Sequence, residues 1–368
     1  MAVLITANSA NTICFALTCA LFAATCHASS SGHDYKIRDS SPSLQHTADA
    51  ISSEHTRSNR KLMAVKSDWT PLWADEFDSW DGERWQHHWG DGCQIGLCGW
   101  GNQELEFYTN NPNNSRIVDG NLVIEAKEVA GTEQAAVQQE CWDECGRRCV
   151  TEGYIDGTPE LHTCVLSCGN GRCPEIRFTS ARISTVNKFS ISPSAKFSTI
   201  RVEARIQLTP GTGLWPAFWM LPQDSKYGIW PSSGEIDIME SHTAMLAVNG
   251  TIHYGGSGDQ WRHTTVARSL SPGFHVFRVD WSEKEMRWYL DHMLYGTVAN
   301  TGNNKGWYSA GSSGSPTAPF GAGDNFYLLL NMAVGGAYPG FPSSDSIAQS
   351  MAEGPKQMVV DYVRVFGR

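Results

Sequence analysis

The chain has 368 residues, a formal net charge of −10, 41% hydrophobic and 18% charged residues. That is too apolar for a disordered protein and long enough for one large domain or two ordinary ones. With 28 basic against 38 acidic residues it lacks the basic face that neutralises phosphates, so no nucleic-acid partner is expected. Two counts stand out: 14 tryptophans, whose indoles are either core or ligand platforms, and 11 cysteines, an odd number.

Residues 1–28 contain no Asp, Glu, Lys or Arg, and an apolar run extends from Ile13 to Cys26. This is shorter than the roughly 20 residues a bilayer span requires, and it ends in small residues at Ala28. A secretory signal peptide over 1–28 is the expectation. Its removal takes Cys14, Cys19 and Cys26 and leaves eight cysteines, an even number that suits pairing in an oxidising compartment. No later stretch reaches membrane-spanning length. A secreted protein is therefore expected, free of the membrane after signal cleavage and monomeric. Residues 29–68 are Ser-rich without apolar periodicity and read as a flexible leader or propeptide.

From Trp69 onward the pattern is that of strands. Val202, Ala204, Ile206 and Leu208 alternate with Arg201, Glu203, Arg205 and Gln207, a half-buried strand. Similar runs fall at Leu122–Ala126, Phe178–Val186, Gly250–Tyr254, His275–Trp281, Arg287–Leu290, Phe326–Ala333 and Met358–Phe366. Turn residues separate them, and outside one insert no long helix-period segment occurs. Many short strands joined by turns predict an all-β antiparallel sandwich over residues 69–368.

The interruption lies at about residues 128–177, where Cys141, Cys145, Cys149, Cys164, Cys168 and Cys173 cluster. Spacings of four put Cys145 with Cys149, and Cys164 with Cys168, on single helix faces. Two facing helical turns stapled Cys145–Cys168 and Cys149–Cys164, closed by Cys141–Cys173, are one of the many connectivities that six cysteines allow. Cys93 and Cys98 are expected to close a small loop. A zinc site is the alternative, disfavoured in a secreted chain.

Residues 234–241 read Gly-Glu-Ile-Asp-Ile-Met-Glu-Ser. A strand puts Glu235 and Asp237 on one face and Glu240 on the other, unless a β-bulge at Ile238–Met239 absorbs one residue. With the bulge, three carboxyls share a face, and like charges so close push at least one pKa upward. Two carboxyls of separated pKa are what acid-assisted glycoside cleavage needs. The alternative, a solvated acidic edge, fits poorly with Ile236, Ile238 and Met239. The glutamates lie about 13 Å apart along a strand, against the about 5 Å between carboxyls in a retaining mechanism, so a concave sheet is predicted.

The segment resembles the bulged E-x-D-x-x-E signature of glycoside hydrolase family 16. Other stretches agree in order: Asp75-Glu76-Phe77, Gly99–Glu104 continuing to Tyr108-Thr109, Thr179–Ile183, Gly213–Met220, Ile252–Gly255, Ala333–Gly336 and Val360–Val365. The resemblance covers about residues 70–368 apart from the cysteine-rich insert and is closest to laminarinase-like endo-1,3(4)-β-glucanases. It implies a β-jelly-roll sandwich of two antiparallel sheets with a concave glycan cleft and a β-glucan substrate. It also implies a retaining double displacement, with Glu235 the nucleophile, Glu240 the general acid/base and Asp237 tuning Glu235.

Trp215 and Trp219 share a strand face. The resemblance places both in the cleft, with Trp230 as a wall and Asn102, Glu104, Arg182 and His253 as polar lining. No cofactor is expected for catalysis. A structural Ca²⁺ away from the chemistry would take oxygen donors at Glu76, Gly120 and Asp361. Ala337-Tyr338 departs from the family pattern and bears on subsite preference. The sequons at Asn113 and Asn249 are candidate glycosylation sites. The alternatives are a hydrolase or transglycosylase for another β-glycan, and a non-catalytic β-glucan-binding recognition protein. The unbroken acid triad argues against the last.

Overall fold

The computed structural model describes residues 68–368, apart from 156, 174, 257, 268–269, 271, 302–305 and 312–314. The expected signal peptide and nearly all of the leader lie outside the described residues. The chain runs β1 (Thr70–Asp75), β2 (Gln86–His88), β3 (Glu106–Tyr108), β4 (Ser115–Val118) and β5 (Asn121–Glu128) into two helices. These are α1 (Gly131–Thr151) and α2 (Pro159–Arg172). It continues through β6 (Phe178–Ser180), β7 (Arg182–Ser184), β8 (Thr199–Leu208), β9 (Leu214–Pro222), β10 (Glu235–Glu240), β11 (Ala247–Gly255) and β12 (Asp259–Ala267). Last come β13 (His275–Ser282), β14 (Glu285–Leu290), β15 (Met293–Ala299), β16 (Phe326–Val334), α3 (Ser344–Ala352) and β17 (Lys356–Gly367).

The strands form two sheets. A ten-stranded sheet runs β15-β14-β13-β8-β17-β5-β6-β3, with β1 beside β17 and β4 beside β5. A seven-stranded sheet runs β12-β11-β10-β9-β16-β7-β2. All pairings are antiparallel except β3 with β6. One apolar cluster joins the two, with Phe218, Met220, Ile236, Ile252 and Leu330 from the smaller sheet meeting Val202, Ile206, Phe277, Trp288 and Val365 from the larger. The alternation read in β8 is what buries Val202, Ala204 and Ile206 completely.

Two glycines fix which face of the smaller sheet points inward. A Cβ on Gly250 of β11 would fall 2.1 Å from the Trp288 indole of β14, and one on Gly296 of β15 would fall 1.9 Å from Thr264 of β12. Gly250 and Thr264 therefore face the larger sheet, and their odd-numbered neighbours face away.

The segment Phe178–Val186, expected as one strand, splits at Ala181: β6 joins the larger sheet and β7 the smaller. Nine-residue α3 also departs from the all-strand expectation for this region; Ser343 caps it by accepting from the Ser346 amide at 3.2 Å.

All four expected disulfides form: Cys93–Cys98, Cys141–Cys173, Cys145–Cys168 and Cys149–Cys164. In the insert they staple α1 to α2 across sequence separations of 32, 23 and 15 residues, each worth roughly 3–4 kcal/mol in the chain-entropy view. The hairpin buries Val137, Cys141 and Cys145 against Phe107 and Trp89 of the body. Arg148 Nη1 donates to the Gln94 carbonyl at 3.0 Å, tying α1 to the loop that Cys93–Cys98 closes. Among the described residues no helix is long and apolar enough to cross a membrane.

Candidate active site

The three acids of β10 stand at the centre of the outward face of the seven-stranded sheet. On the β9 side, Asp237 pairs with Trp219 and Met239 with Phe218, so two residue steps oppose one. On the β11 side, Asp237 opposes Thr251 and Glu240 opposes Asn249, three steps against two. This is the bulge that three acids on one face require, and it falls at Ile238–Met239. Ile236, Ile238 and Met239 are buried behind it. Trp288 Nε1 donates to the Asp237 carbonyl at 2.8 Å, pinning the strand from the core side.

Each acid has its own partners. Trp230 Nε1 donates to Glu235 Oε2 at 2.8 Å, and Trp215 Nε1 donates to Glu240 Oε1 at 3.0 Å. His253, directly across from Glu235, brings Nε2 to 3.5 Å from Asp237 Oδ2 and bonds Asp259 through Nδ1 at 2.9 Å. One polar atom each from Glu235, Asp237 and His253 lies within 4.8 Å of the others. At these distances the charge on each group acts on the other two.

The electrostatics separate the three carboxyls. Burial first, then the Glu235 charge, lift Glu240 from 4.5 to about 7. Burial also raises Glu235, but His253, the Trp230 hydrogen bond and one from Asp237 oppose the rise. Asp237 is pushed well above the carboxylate range by burial and the adjacent Glu235 charge. Their mutual hydrogen bond works in opposite senses, raising Asp237 further and lowering Glu235. The site thus sets a Glu235 whose rise its hydrogen bonds oppose beside a Glu240 raised to about 7.

The remaining expected residues extend from the acids across the strands. Trp219 Nε1 donates to Asn331 Oδ1 at 2.7 Å, and Asn331 Nδ2 donates to the Tyr108 hydroxyl at 3.0 Å. Buried Arg182 stacks its guanidinium between Trp219, at 4.8 Å, and Trp100, at 4.4 Å. Asn102 Nδ2 donates to Glu104 Oε1 at 3.0 Å, and burial raises the Glu104 carboxyl. Glu106, Asp259 and Asn331 were not singled out from sequence, and Trp100 and Tyr108 entered only as members of matching stretches. Asn331 sits in an apolar run, and only its pairing opposite Ala217 and Arg182 reveals its place. Tyr338 lies 4.9 Å from Trp215, and its hydroxyl accepts from Asn249 Nδ2. That hydrogen bond occupies the amide of the second sequon.

The residues considered for Ca²⁺ lie elsewhere, around β1, β17 and the β4–β5 turn. Glu76 forms a bidentate pair with Arg364, at 2.8 Å for both contacts, and buried Asp361 pairs with Arg205 Nη1 at 2.5 Å. Both carboxylates are compensated within the chain. A cation there would rely on main-chain carbonyls such as that of Gly120, with Asp361 as the buried carboxylate.

The sequence profile of Glycosyl hydrolases family 16 matches residues 165–317. A glucan endo-1,3-beta-glucosidase of Cryptopygus antarcticus is 33% identical over 305 residues, covering 80% of this chain and 91% of that protein. The chain belongs to glycosyl hydrolase family 16. It is a glycoside hydrolase. Glucan endo-1,3-beta-glucosidase A1 of Niallia circulans is also 33% identical, over 80% of this chain, but the match spans only 37% of that longer protein. Among solved structures, the endo-beta-1,3-glucanase of Pyrococcus furiosus superposes with a TM-score of 0.57 at 33% identity, covering 81% of this chain and 94% of that one. The two-sheet sandwich is thus the family 16 jelly roll.

Proposed function

We propose that the protein is a secreted, endo-acting β-glucan hydrolase that cleaves 1,3- or mixed 1,3/1,4-linkages with retention of configuration. The observation that carries this reading is the bulge that sets Glu235 and Glu240 on one face of β10, with Glu240 raised to about 7 and the rise of Glu235 opposed by its hydrogen bonds. Glu235 attacks the anomeric carbon while Glu240 gives its proton to the leaving glycosidic oxygen, so the C–O bond breaks and a glycosyl ester forms on Glu235. Ionised Glu240 then takes a proton from water, whose oxygen displaces Glu235 and releases the sugar. Asp237 acts through Glu235, donating the hydrogen bond that keeps the nucleophile charged.

Trp215, Trp219, Trp230 and His253 surround the acids, with Arg182, Asn102 and Glu104 further along the same face. Arg182 Nε is buried and, among the described residues, has no hydrogen-bond partner. The eight paired cysteines support an extracellular location. A structural Ca²⁺ near Glu76, held by main-chain carbonyls such as that of Gly120 and by Asp361, and a monomeric state, complete the proposal. The test is to incubate the purified protein with laminarin, mixed-linkage glucan and agarose and to size the products. Mid-chain cuts in the first two are expected. Release from agarose alone moves the substrate to a galactan, and release from none overturns the hydrolase reading of this substrate class.

A further inference from the structure

The catalytic strand β10 has neighbours on both sides, and the two sides are unequally furnished. Toward β9, β16 and β7 lie Trp219, Asn331 and Arg182, followed by the Trp100–Glu104 loop. Toward β11 and β12, only His253 is assigned. An endo-acting hydrolase must hold its polymer on both sides of the bond it breaks.

The register supplies what the second side lacks. Glu235 is directly opposite His253, and His253 is directly opposite Trp261 of β12. Residues opposite one another in antiparallel strands project from the same face. The three therefore form one row across the sheet, on the face away from the core. Thr264, facing Gly296 of the other sheet, confirms that Trp261 and His263 point outward. Two strand spacings separate Trp261 from Glu235, about 10 Å, which a short stretch of sugar chain covers. Its indole is 55% exposed, and its ring centroid lies 4.8 Å from that of His263. At that exposure, with His263 as its ring neighbour among the described residues, the indole presents flat apolar surface to solvent.

We infer that Trp261 is a sugar platform, stacking a pyranose ring of the β-glucan chain on the side of the acids opposite Arg182. The inference rests on the glucanase reading and adds a subsite to it: the substrate crosses the strands from Arg182, over the acids, to β12. Trp261 touches no reacting atom, so it acts on how well longer chains bind.

The experiment measures kcat/KM on a ladder of laminari-oligosaccharides for the wild type, Trp261→Ala, Trp261→Phe and, as a control, Trp80→Ala. Trp80 is likewise exposed but stacks on His87, outside the site. In Trp261→Ala the ratio of kcat/KM on long chains to that on the shortest cleaved chain is expected to fall about tenfold. Trp261→Phe keeps most of that ratio, and Trp80→Ala keeps all of it. An unchanged ratio in Trp261→Ala, whether activity is uniformly lower or intact, overturns the platform while leaving the glucanase reading standing. A wild type inactive on every length overturns the glucanase reading, and the platform with it.

Discussion

Replacing Glu240 with Gln removes a carboxyl that the fold holds against its preference, and the effect on stability must depend on pH. Burial and the Glu235 charge raise this group from 4.5 to about 7, so the native state binds its proton more tightly than the unfolded chain does. Stability from that proton is complete below the unfolded value and is lost as pH rises through the folded one. At about 1.4 kcal/mol per unit, ionised Glu240 costs the native state roughly 3 kcal/mol at pH 8 if fully desolvated. The residue retains intermediate solvent exposure, which lowers the figure to about 2 kcal/mol. A glutamine keeps an oxygen to accept from Trp215 Nε1, so the packing is preserved. Calorimetry of wild type and Glu240→Gln should give melting points within about 1 °C at pH 5. At pH 8 the variant should be higher by roughly 4 °C. An equal difference at both pH values refutes the claim that Glu240 is strained in its charged form.

Further outcomes follow from the same geometry. The alkaline limb of the wild-type pH–rate profile should lie near 7, where Glu240 loses its proton. Because the Trp215 hydrogen bond favours the ionised form, Trp215→Phe should move that limb to higher pH; a downward move contradicts the assignment. Glu235→Gln and Glu240→Gln should each lose nearly all hydrolysis of laminarin yet still bind it in an affinity gel, and wild-type activity in either removes that residue from the mechanism. Dialysis against a chelator should lower the melting point and added Ca²⁺ restore it, with kcat after restoration unchanged; no response to chelation rules out the structural cation.

What could be read in advance follows physical lines. The acids were legible because three carboxyls in an apolar strand need a reason, and the bulge because they share a face only with one extra residue. The disulfides were legible because a spacing of four aligns sulfurs on a helix, so two facing helices admit a ladder. The partners of the site were legible only through the family resemblance, and Asn331 not at all. Asn331 and Arg182 are far apart in sequence and meet only through the β16–β7 register, and Trp261 gains its meaning from standing across two strands from Glu235. Such pairings depend on the alignment of distant segments, which hydrophobic periodicity leaves open. The break at Ala181 was hidden for a related reason: β6 and β7 are both buried, so their alternation carries no sign that they serve different sheets.

The covalent role of Glu235 is open to a direct measurement. A laminari-disaccharide bearing fluorine beside the anomeric carbon and fluoride as leaving group forms the glycosyl ester readily and hydrolyses it slowly. Mass spectrometry of the digested, inactivated protein should find the disaccharide esterified to the peptide carrying Glu235. An adduct on a different carboxylate, or laminarin hydrolysis that first yields the inverted anomer with no adduct trapped, would contradict the double displacement.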